Sequence, residues 1–258
     1  MTNHARILHD AQRGTTEVDA FTHDDTLDLA AAYRVQQQLI ELRLAEGEQA
    51  TGLKLGFTNP AKMRQMGVNH IIAGRITTGM AHADGATVSP AQFIHPRVEP
   101  ELCFRLARDI APDENLAAIS NAIDGIAVGI EVIDSRYRDF RFTLSDVVAD
   151  NASASAYAIG PWITPTPALE HSLSNLGVIL QIDGVDIDTG STAAILDNPW
   201  RALHAAVIHA REHGIPLRAK DVILAGAATA AHPWHPGTSV RATISQLGSV
   251  TLHMSEEA

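Results

Sequence analysis

A single cysteine, Cys103, stands among 258 residues, so no internal disulfide can form and a reducing cytoplasm is the expected compartment. No stretch approaches the roughly 18 consecutive apolar residues that a membrane span needs, so no membrane partner is expected. Met1 to Arg13 mixes polar and charged residues without an apolar run, which argues against a secretory leader. Positive charge is scarce: 19 Lys and Arg against 30 Asp and Glu give a formal net charge of −11. Such a chain repels phosphate backbones, and with no basic stripe nucleic acid is excluded as a partner. There is no Gly-rich nucleotide fingerprint, no Gly-x-Ser-x-Gly, no His-Glu-x-x-His and no Cys-x-x-Cys. The common nucleotide-binding, hydrolase and zinc signatures are therefore missing.

What is present reads as an ordinary globular chain, 45% hydrophobic and 19% charged, long enough to bury a sizeable core. An acidic protein that handles anionic substrates must concentrate positive charge locally, and a bound metal ion is one way to do so. No repeat or low-complexity linker interrupts the chain. Residues 1–50 read as an N-terminal helical segment. Asp24 and Asp25 supply negative charge at a helix start, Ala31, Val35, Leu39 and Leu42 recur at helical spacing, and Gly47 is a stop.

From residue 51 to 258 the texture changes to a mixed β core. Strands are expected over Gly52–Phe57, Val98–Leu106, Ile126–Ile133, Val178–Ile182, Val222–Ala225, Val240–Ile244 and Val250–His253. Helices are expected over Ala61–Met66, opened by Asn59-Pro60 and closed by Gly67, over Asp113–Ile123, and from Asn198-Pro199 to about Gly214. Strands and helices do not alternate regularly, so an α+β fold around a strongly bent or rolled mixed sheet is expected.

The chemistry concentrates in two segments. In His95-Pro96-Arg97-Val98-Glu99-Pro100-Glu101-Leu102-Cys103-Phe104, strand alternation puts Val98, Leu102 and Phe104 on one face and Glu99, Glu101 and Cys103 on the other. Two carboxylates then stand about 7 Å apart along one strand, where they repel unless a cation or proton intervenes. In Ala127–Asp134, Glu131 interrupts an apolar run that ought to be buried, and a buried carboxylate needs a partner. Three inward carboxylates with no matching His or Cys cluster suit a hard, oxygen-loving cation, Mg²⁺ or Mn²⁺. The plainer reading is a solvated Glu99/Glu101 face with Glu131 paired to an arginine, and on these residues alone both stand.

Lys54 lies opposite Leu53 and Leu55 on its strand. It could enter the same cavity as a proton donor or carboxylate clamp, or face solvent. His232 and His235, flanked by prolines, read as a turn rather than as ligands. Cys103 reads as a small hydrophobe near the site, and the Asn151-Ala152-Ser153 sequon as chance.

At these residues the chain resembles the 2-keto-4-pentenoate hydratase and 4-oxalocrotonate decarboxylase group of the fumarylacetoacetate hydrolase superfamily. The matching stretches are Gly52–Thr58, His95–Glu101, Glu131–Tyr137 and Val148–Ser153. The resemblance runs from the N-terminal helix to Leu247-Gly248-Ser249-Val250. It implies a rolled β core behind an N-terminal helical part, in a homo-oligomer that can complex with a related pathway enzyme. It implies Glu99, Glu101 and Glu131 as ligands of Mg²⁺ or Mn²⁺, Lys54 as the active-site lysine, and Leu55 and Ser153 as substrate-binding positions.

Ala61–Val68 and Asp134-Ser-Arg-Tyr137-x-x-Phe140-x-Phe142 look more like the decarboxylases, since hydratases tend to carry an Ile and a Trp where Tyr137 and Phe140 stand. The implied reaction is metal-dependent decarboxylation of 2-oxo-3-hexenedioate, a small 2-oxo dicarboxylic acid of aromatic meta-cleavage catabolism. The alternative is hydration of 2-hydroxy-2,4-pentadienoate. One departure matters: the family carries an acidic residue just before the position of Met80, where this chain reads Thr77-Thr78-Gly79-Met80. That departure keeps open a catalytically silent subunit that binds a 2-oxo acid or serves structure alone.

Overall fold

The computed structural model describes residues 3–21, 27–59, 63 and 70–257. Asp24, Asp25, the expected helix Ala61–Met66 with Pro60 and Gly67, and the decarboxylase-like segment Ala61–Val68 lie outside the described residues, Met63 excepted.

Among the described residues the N-terminal part holds two helices, α1 (Asn3–Arg13) and α2 (Leu29–Ala45). Asp28 starts α2 by accepting the Ala31 N–H at 2.6 Å, which satisfies one of the amides a helix start leaves open. The helix buries Ala32, Val35, Leu39 and Ile40, at the three-to-four spacing of one face. That face meets Ala5 and Leu8 of α1 and Tyr137, Val147 and Val148 of the core.

Among the described residues the β core has thirteen strands: β1 (Ala50–Gly56), β2 (Ile72–Thr77), β3 (Ala81–His82), β4 (Thr87–Val88), β5 (Arg97–Leu106), β6 (Ile123–Ile133), β7 (Ala154–Ile159), β8 (Gly177–Ile182), β9 (Val185–Ser191), β10 (Val222–Ala227), β11 (His232–Pro233), β12 (Ser239–Ile244) and β13 (Gly248–Met254). The larger sheet runs β2-β1-β10-β5-β6-β7-β3 with β11 attached to β5, and the smaller runs β4-β13-β12-β8-β9. Both sheets are mixed: β1/β10, β3/β7 and β4/β13 pair parallel and the remaining pairs antiparallel. The larger sheet curls into a half-barrel, as an α+β fold on a rolled sheet requires.

One face of the larger sheet carries Val98, Leu102, Phe104, Val128 and Ile130 into the main core, against the smaller sheet and the helix Pro199–Glu212. The other, inner face carries a smaller apolar cluster that includes Cys103, Ala127, Tyr157 and Leu224. Glu101 and Glu131 share that inner face by strand alternation.

The structure departs from expectation at four elements. Residues 113–123 form a 3₁₀ turn over Leu116–Ala122, capped by Asn115, because β6 already claims Ile123. β7 was not visible in the sequence because its alanines carry little β preference, and β9 because it is a polar edge strand. β2 likewise falls where no strand is expected from sequence.

The turn between β6 and β7 is built on charge. Arg136, 1% exposed, pairs with Asp150, 0% exposed, and donates to the backbone carbonyls of Asp134, Asp150 and Ala154. Burial raises Asp150 to about 6 even with Arg136 pulling the other way. A buried pair of this kind is costly to break, because the surviving partner is left charged and dry. Arg136→Met should therefore lower the unfolding free energy by roughly 3–5 kcal/mol, read from the urea midpoint. A loss below about 1 kcal/mol, the scale of a surface pair, would show that the turn does not depend on it.

Candidate metal centre and active site

Register brings the carboxylates together. In the β5/β6 pair Glu99 stands directly opposite Glu131, and Glu101 opposite Gly129. One oxygen from each of Glu99, Glu101 and Glu131 lies within 4.8 Å of the other two. Glu101 is 0% and Glu131 1% exposed. The plainer reading of a solvated Glu99/Glu101 face therefore fails, and Glu131 has a lysine rather than an arginine beside it.

That lysine is Lys54 on β1, buried, with Nζ 3.0 Å from Glu131 Oε1 and donating to the Ala152 carbonyl at 3.0 Å. The solvent-facing alternative for Lys54 is thereby excluded. Its neighbour across the sheet is Gly74. A Cβ there would fall 2.5 Å from the Asn151 carbonyl oxygen and 3.1 Å from Lys54 Cδ, so a side chain would displace both. Glu101 Oε2 accepts the N–H of Gly226 on β10. Gly226 sits at φ +121°, where a side chain is strained and would meet Thr58.

The electrostatics of the group are unbalanced. Burial, then the charges of Glu131 and Glu99, hold Glu101 well above the usual carboxylate range. Burial likewise pushes Glu131 up to about 7, against the pull of Lys54. Burial works to lower Lys54, but Glu131 and the other two glutamates outweigh it and its pKa is raised. Burial and the nearby Glu101 and Glu131 charges raise the Cys103 thiol, so it stays protonated and packs as a small apolar group. Among the described residues Glu101 Oε1 meets no hydrogen-bond donor, and Glu131 has Lys54 as its cationic neighbour. Buried carboxylate oxygens left in this state fit a divalent cation, and an all-oxygen donor set fits a hard one.

Above the group opens a cavity of about 430 Å³ lined by Lys54, Leu55, Phe57, Arg97, Glu99, Phe140, Phe142, Ser153 and Thr229, among others. Leu55 reaches it while its side chain belongs to the main core. Ser153 reaches it with a buried Oγ that has no hydrogen-bond partner among the described residues. Ser153 closes a run, Asn151-Ala152-Ser153, in which φ is 53°, 54° and 57°. Left-handed backbone costs a non-glycine residue roughly 1–2 kcal/mol. The Asn151 side chain holds the run by accepting the Arg75 N–H at 2.7 Å and donating to the Arg75 carbonyl at 2.8 Å. Asn151 is buried, so its sequon is chance, as expected.

Other expectations separate here. Phe140 faces the cavity, but Tyr137 is buried among the N-terminal helices and donates to the Asp146 carbonyl at 3.2 Å. His232 and His235 join no cluster of metal-ligating groups among the described residues; His232 pairs with Asp188 at 2.9 Å. At Thr77–Gly79 a carboxylate is present after all, supplied by Glu48. It accepts from Thr77 Oγ1, lies where a Gly79 side chain would stand, and is tied to Arg43 at 3.0 Å. It does not line the cavity with Lys54. Arg97 was passed over in the sequence, although the alternation that pairs Glu99 with Glu101 puts Arg97 on the same face.

A model of the fumarylacetoacetate (FAA) hydrolase C-terminal family matches residues 46–254. A 4-oxalocrotonate decarboxylase of a Pseudomonas species is 43% identical over 98% of this chain and 97% of its own length. A 2-keto-4-pentenoate hydratase of Burkholderia vietnamiensis is 34% identical over 89% of this chain and 87% of its own. The 4-oxalocrotonate decarboxylase of Pseudomonas putida G7, solved with magnesium and adipate, superposes with a TM-score of 0.90. It is 32% identical and covers 97% of this chain and 95% of its own.

Glu101→Gln should show whether the carboxylates share a cation. The amide can keep the Gly226 contact while removing one of three repelling charges, so the metal-free variant should melt above the metal-free wild type. Magnesium should raise the melting temperature of the wild type and do far less for the variant. A wild-type-sized magnesium shift in the variant would remove Glu101 from the metal centre.

Proposed function

The chain belongs to the fumarylacetoacetate hydrolase family, and from that premise we propose that it is a divalent-metal-dependent lyase that decarboxylates 2-oxo-3-hexenedioate (4-oxalocrotonate) to 2-hydroxy-2,4-pentadienoate. The observation that carries the reading is the meeting of Glu99, Glu101, Glu131 and Lys54 at a phenylalanine-walled cavity. Identity of 43% to a 4-oxalocrotonate decarboxylase supports the choice of reaction.

Glu99, Glu101 and Glu131 would hold Mg²⁺ or Mn²⁺. Bound there, the ion supplies a Lewis acid for the substrate's C1 carboxylate and C2 oxo group. In this substrate the C6 carboxylate is vinylogous to a β-keto acid. As the C5–C6 bond breaks, its electron pair forms C4=C5, the C3=C4 pair moves to C2=C3, and charge collects on the C2 oxygen. Lys54, kept protonated by the three glutamates, holds a proton for that oxygen or orients the adjoining carboxylate. Ser153 Oγ donates to the substrate, and Leu55 forms the wall beside it. Phe57, Phe140 and Phe142 keep water from the departing carboxylate, and desolvation raises the energy of that ionised group.

Hydration of 2-hydroxy-2,4-pentadienoate is the second reading, favoured by the 34% identity to a 2-keto-4-pentenoate hydratase. It needs a base that activates water at the far end of the substrate. The described cavity wall offers Glu99 as its carboxylate, which the metal would occupy.

The reading extends to the protein's setting. Cys103, free and buried, suits a reducing cytoplasm. Ile179 on β8 and Val185 and Ile187 on the edge strand β9 stand exposed, which supports a homo-oligomer and a contact with the enzyme that consumes the dienol. Light scattering reports the first, and a monomer at micromolar concentration would refute it.

With Mg²⁺ present, 2-oxo-3-hexenedioate should release CO₂ and lose its conjugated-diacid absorbance. Efficient conversion of 2-hydroxy-2,4-pentadienoate to 4-hydroxy-2-oxopentanoate, without CO₂ from the diacid, would replace decarboxylation by hydration. In the same assay Lys54→Met should lower turnover by about 10² or more, the scale of a lost proton-transfer group. Wild-type turnover in that variant would leave Lys54 a structural role only.

A further inference from the structure

Among the described residues that line the cavity, three carry charge: Lys54, Glu99 and Arg97. Lys54 is committed to Glu131 and the Ala152 carbonyl. Arg97 is not committed. No described carboxylate pairs with it, and no described acceptor takes a hydrogen bond from its guanidinium. Its side-chain contact is the face of Phe140, with the guanidinium carbon 4.7 Å from the ring centroid. Phe140 in turn packs against His95 in a tilted ring pair, centroid to centroid 4.5 Å, and His95 is anchored to the Ser135 carbonyl at 2.7 Å and to Glu17 at 3.2 Å. The guanidinium is thus oriented by an aromatic surface that offers it no hydrogen bond, and its five N–H donors stay available to a ligand.

Position gives that ligand a length. Arg97 and Glu99 are two residues apart on β5, so both side chains leave the same face about 7 Å apart. A six-carbon diacid, with five carbon–carbon bonds, spans about 6 Å between its terminal carbons when extended. A 2-oxo acid with its C1 end at the glutamates would bring its C6 carboxylate to the level of Arg97.

We infer that Arg97 is the specificity-determining residue that recognises the distal carboxylate and selects 2-oxo diacids over 2-oxo monoacids. The inference rests on the function proposed above for this cavity. An arginine fork matches a carboxylate bidentately, which a lysine at the same place cannot do. The pair would strengthen binding of the diacid without helping the bond break, because it is lost as the carboxylate leaves as CO₂. Removing Arg97 should therefore raise KM for the diacid without lowering kcat, because the pair holds the ground state and is already weakened in the transition state.

The test uses two unreactive saturated ligands that differ only at the far end, 2-oxoadipate and 2-oxohexanoate, titrated calorimetrically into the Mg²⁺-loaded enzyme. Wild type should bind 2-oxoadipate about tenfold or more tightly over 2-oxohexanoate, the scale of a charge-assisted pair. Arg97→Met should lose that preference by weakening 2-oxoadipate alone, and Arg97→Lys should recover part of it. Retained binding of 2-oxohexanoate shows that the variant is folded. Equal binding of the two acids by wild type, or an intact preference in either Arg97→Met or a folded variant carrying Arg97→Leu, would overturn the inference. CO₂ release from 2-oxo-3-hexenedioate is scored on the same wild-type preparation. An Arg97-dependent preference without CO₂ would sink the decarboxylase reading alone, and CO₂ with an Arg97-independent preference would sink this inference alone.

Discussion

Three carboxylates on the inner face of one curled sheet, with the Lys54 ammonium beside them, set the terms for the rest of the molecule. A buried carboxylate without a partner costs several kcal/mol, and two side by side cost more. The chain does not relieve this by exposing the group, since Glu101 and Glu131 are sealed from water. It relieves part of it through Lys54 and the Gly226 N–H, and the buried oxygens that remain suit a divalent ion.

Holding such a group together requires rigid surroundings. Lys54 reaches Glu131 because Ala152 fixes its other side, and Ala152 is fixed because three successive residues adopt left-handed backbone. That strained run is clamped at its start by Asp150 on Arg136 and through Asn151 on Arg75. The clamp extends to the N-terminal helices. Gln36 of α2 donates at 2.9 Å both to the Ala73 carbonyl, beside Gly74, and to the Val148 carbonyl, just before the run. The helical part therefore braces the strand opposite Lys54 and the turn that orients it, which ties a region remote in sequence to the geometry of one ammonium.

The cavity wall completes the division of labour. Charge is gathered at the floor, phenylalanine rings make the walls, and the Arg97 guanidinium sits over one of them. The proposed dianionic ligand would meet positive charge where it must be held and apolar surface where it must lose solvent. The overall negative charge of the protein makes that local arrangement necessary, because long-range attraction cannot concentrate an anion on this surface.

Much of this is written in local pattern. The E-x-E alternation on β5 and the carboxylate breaking an apolar run on β6 are legible because strand periodicity assigns faces without knowledge of the partner strand. The helix Pro199–Glu212, the N-terminal helical region and most of the core strands are legible for the same reason. What no local pattern carries is register. Only the pairing of β5 with β6 puts Glu99 opposite Glu131, and only the β1/β10/β5 order brings Lys54 to the same point. The aromatic pair shows the limit most sharply. Tyr137 and Phe140 are three residues apart, yet one is buried against the helices and the other faces the cavity, because the intervening backbone turns through a left-handed Asp139 at φ 57°. The sequence alone determined which residues were charged, which were apolar and which strand face each would take. The tertiary structure decided which faces met, because long-range pairing selects among registers that local chemistry leaves nearly equal in energy.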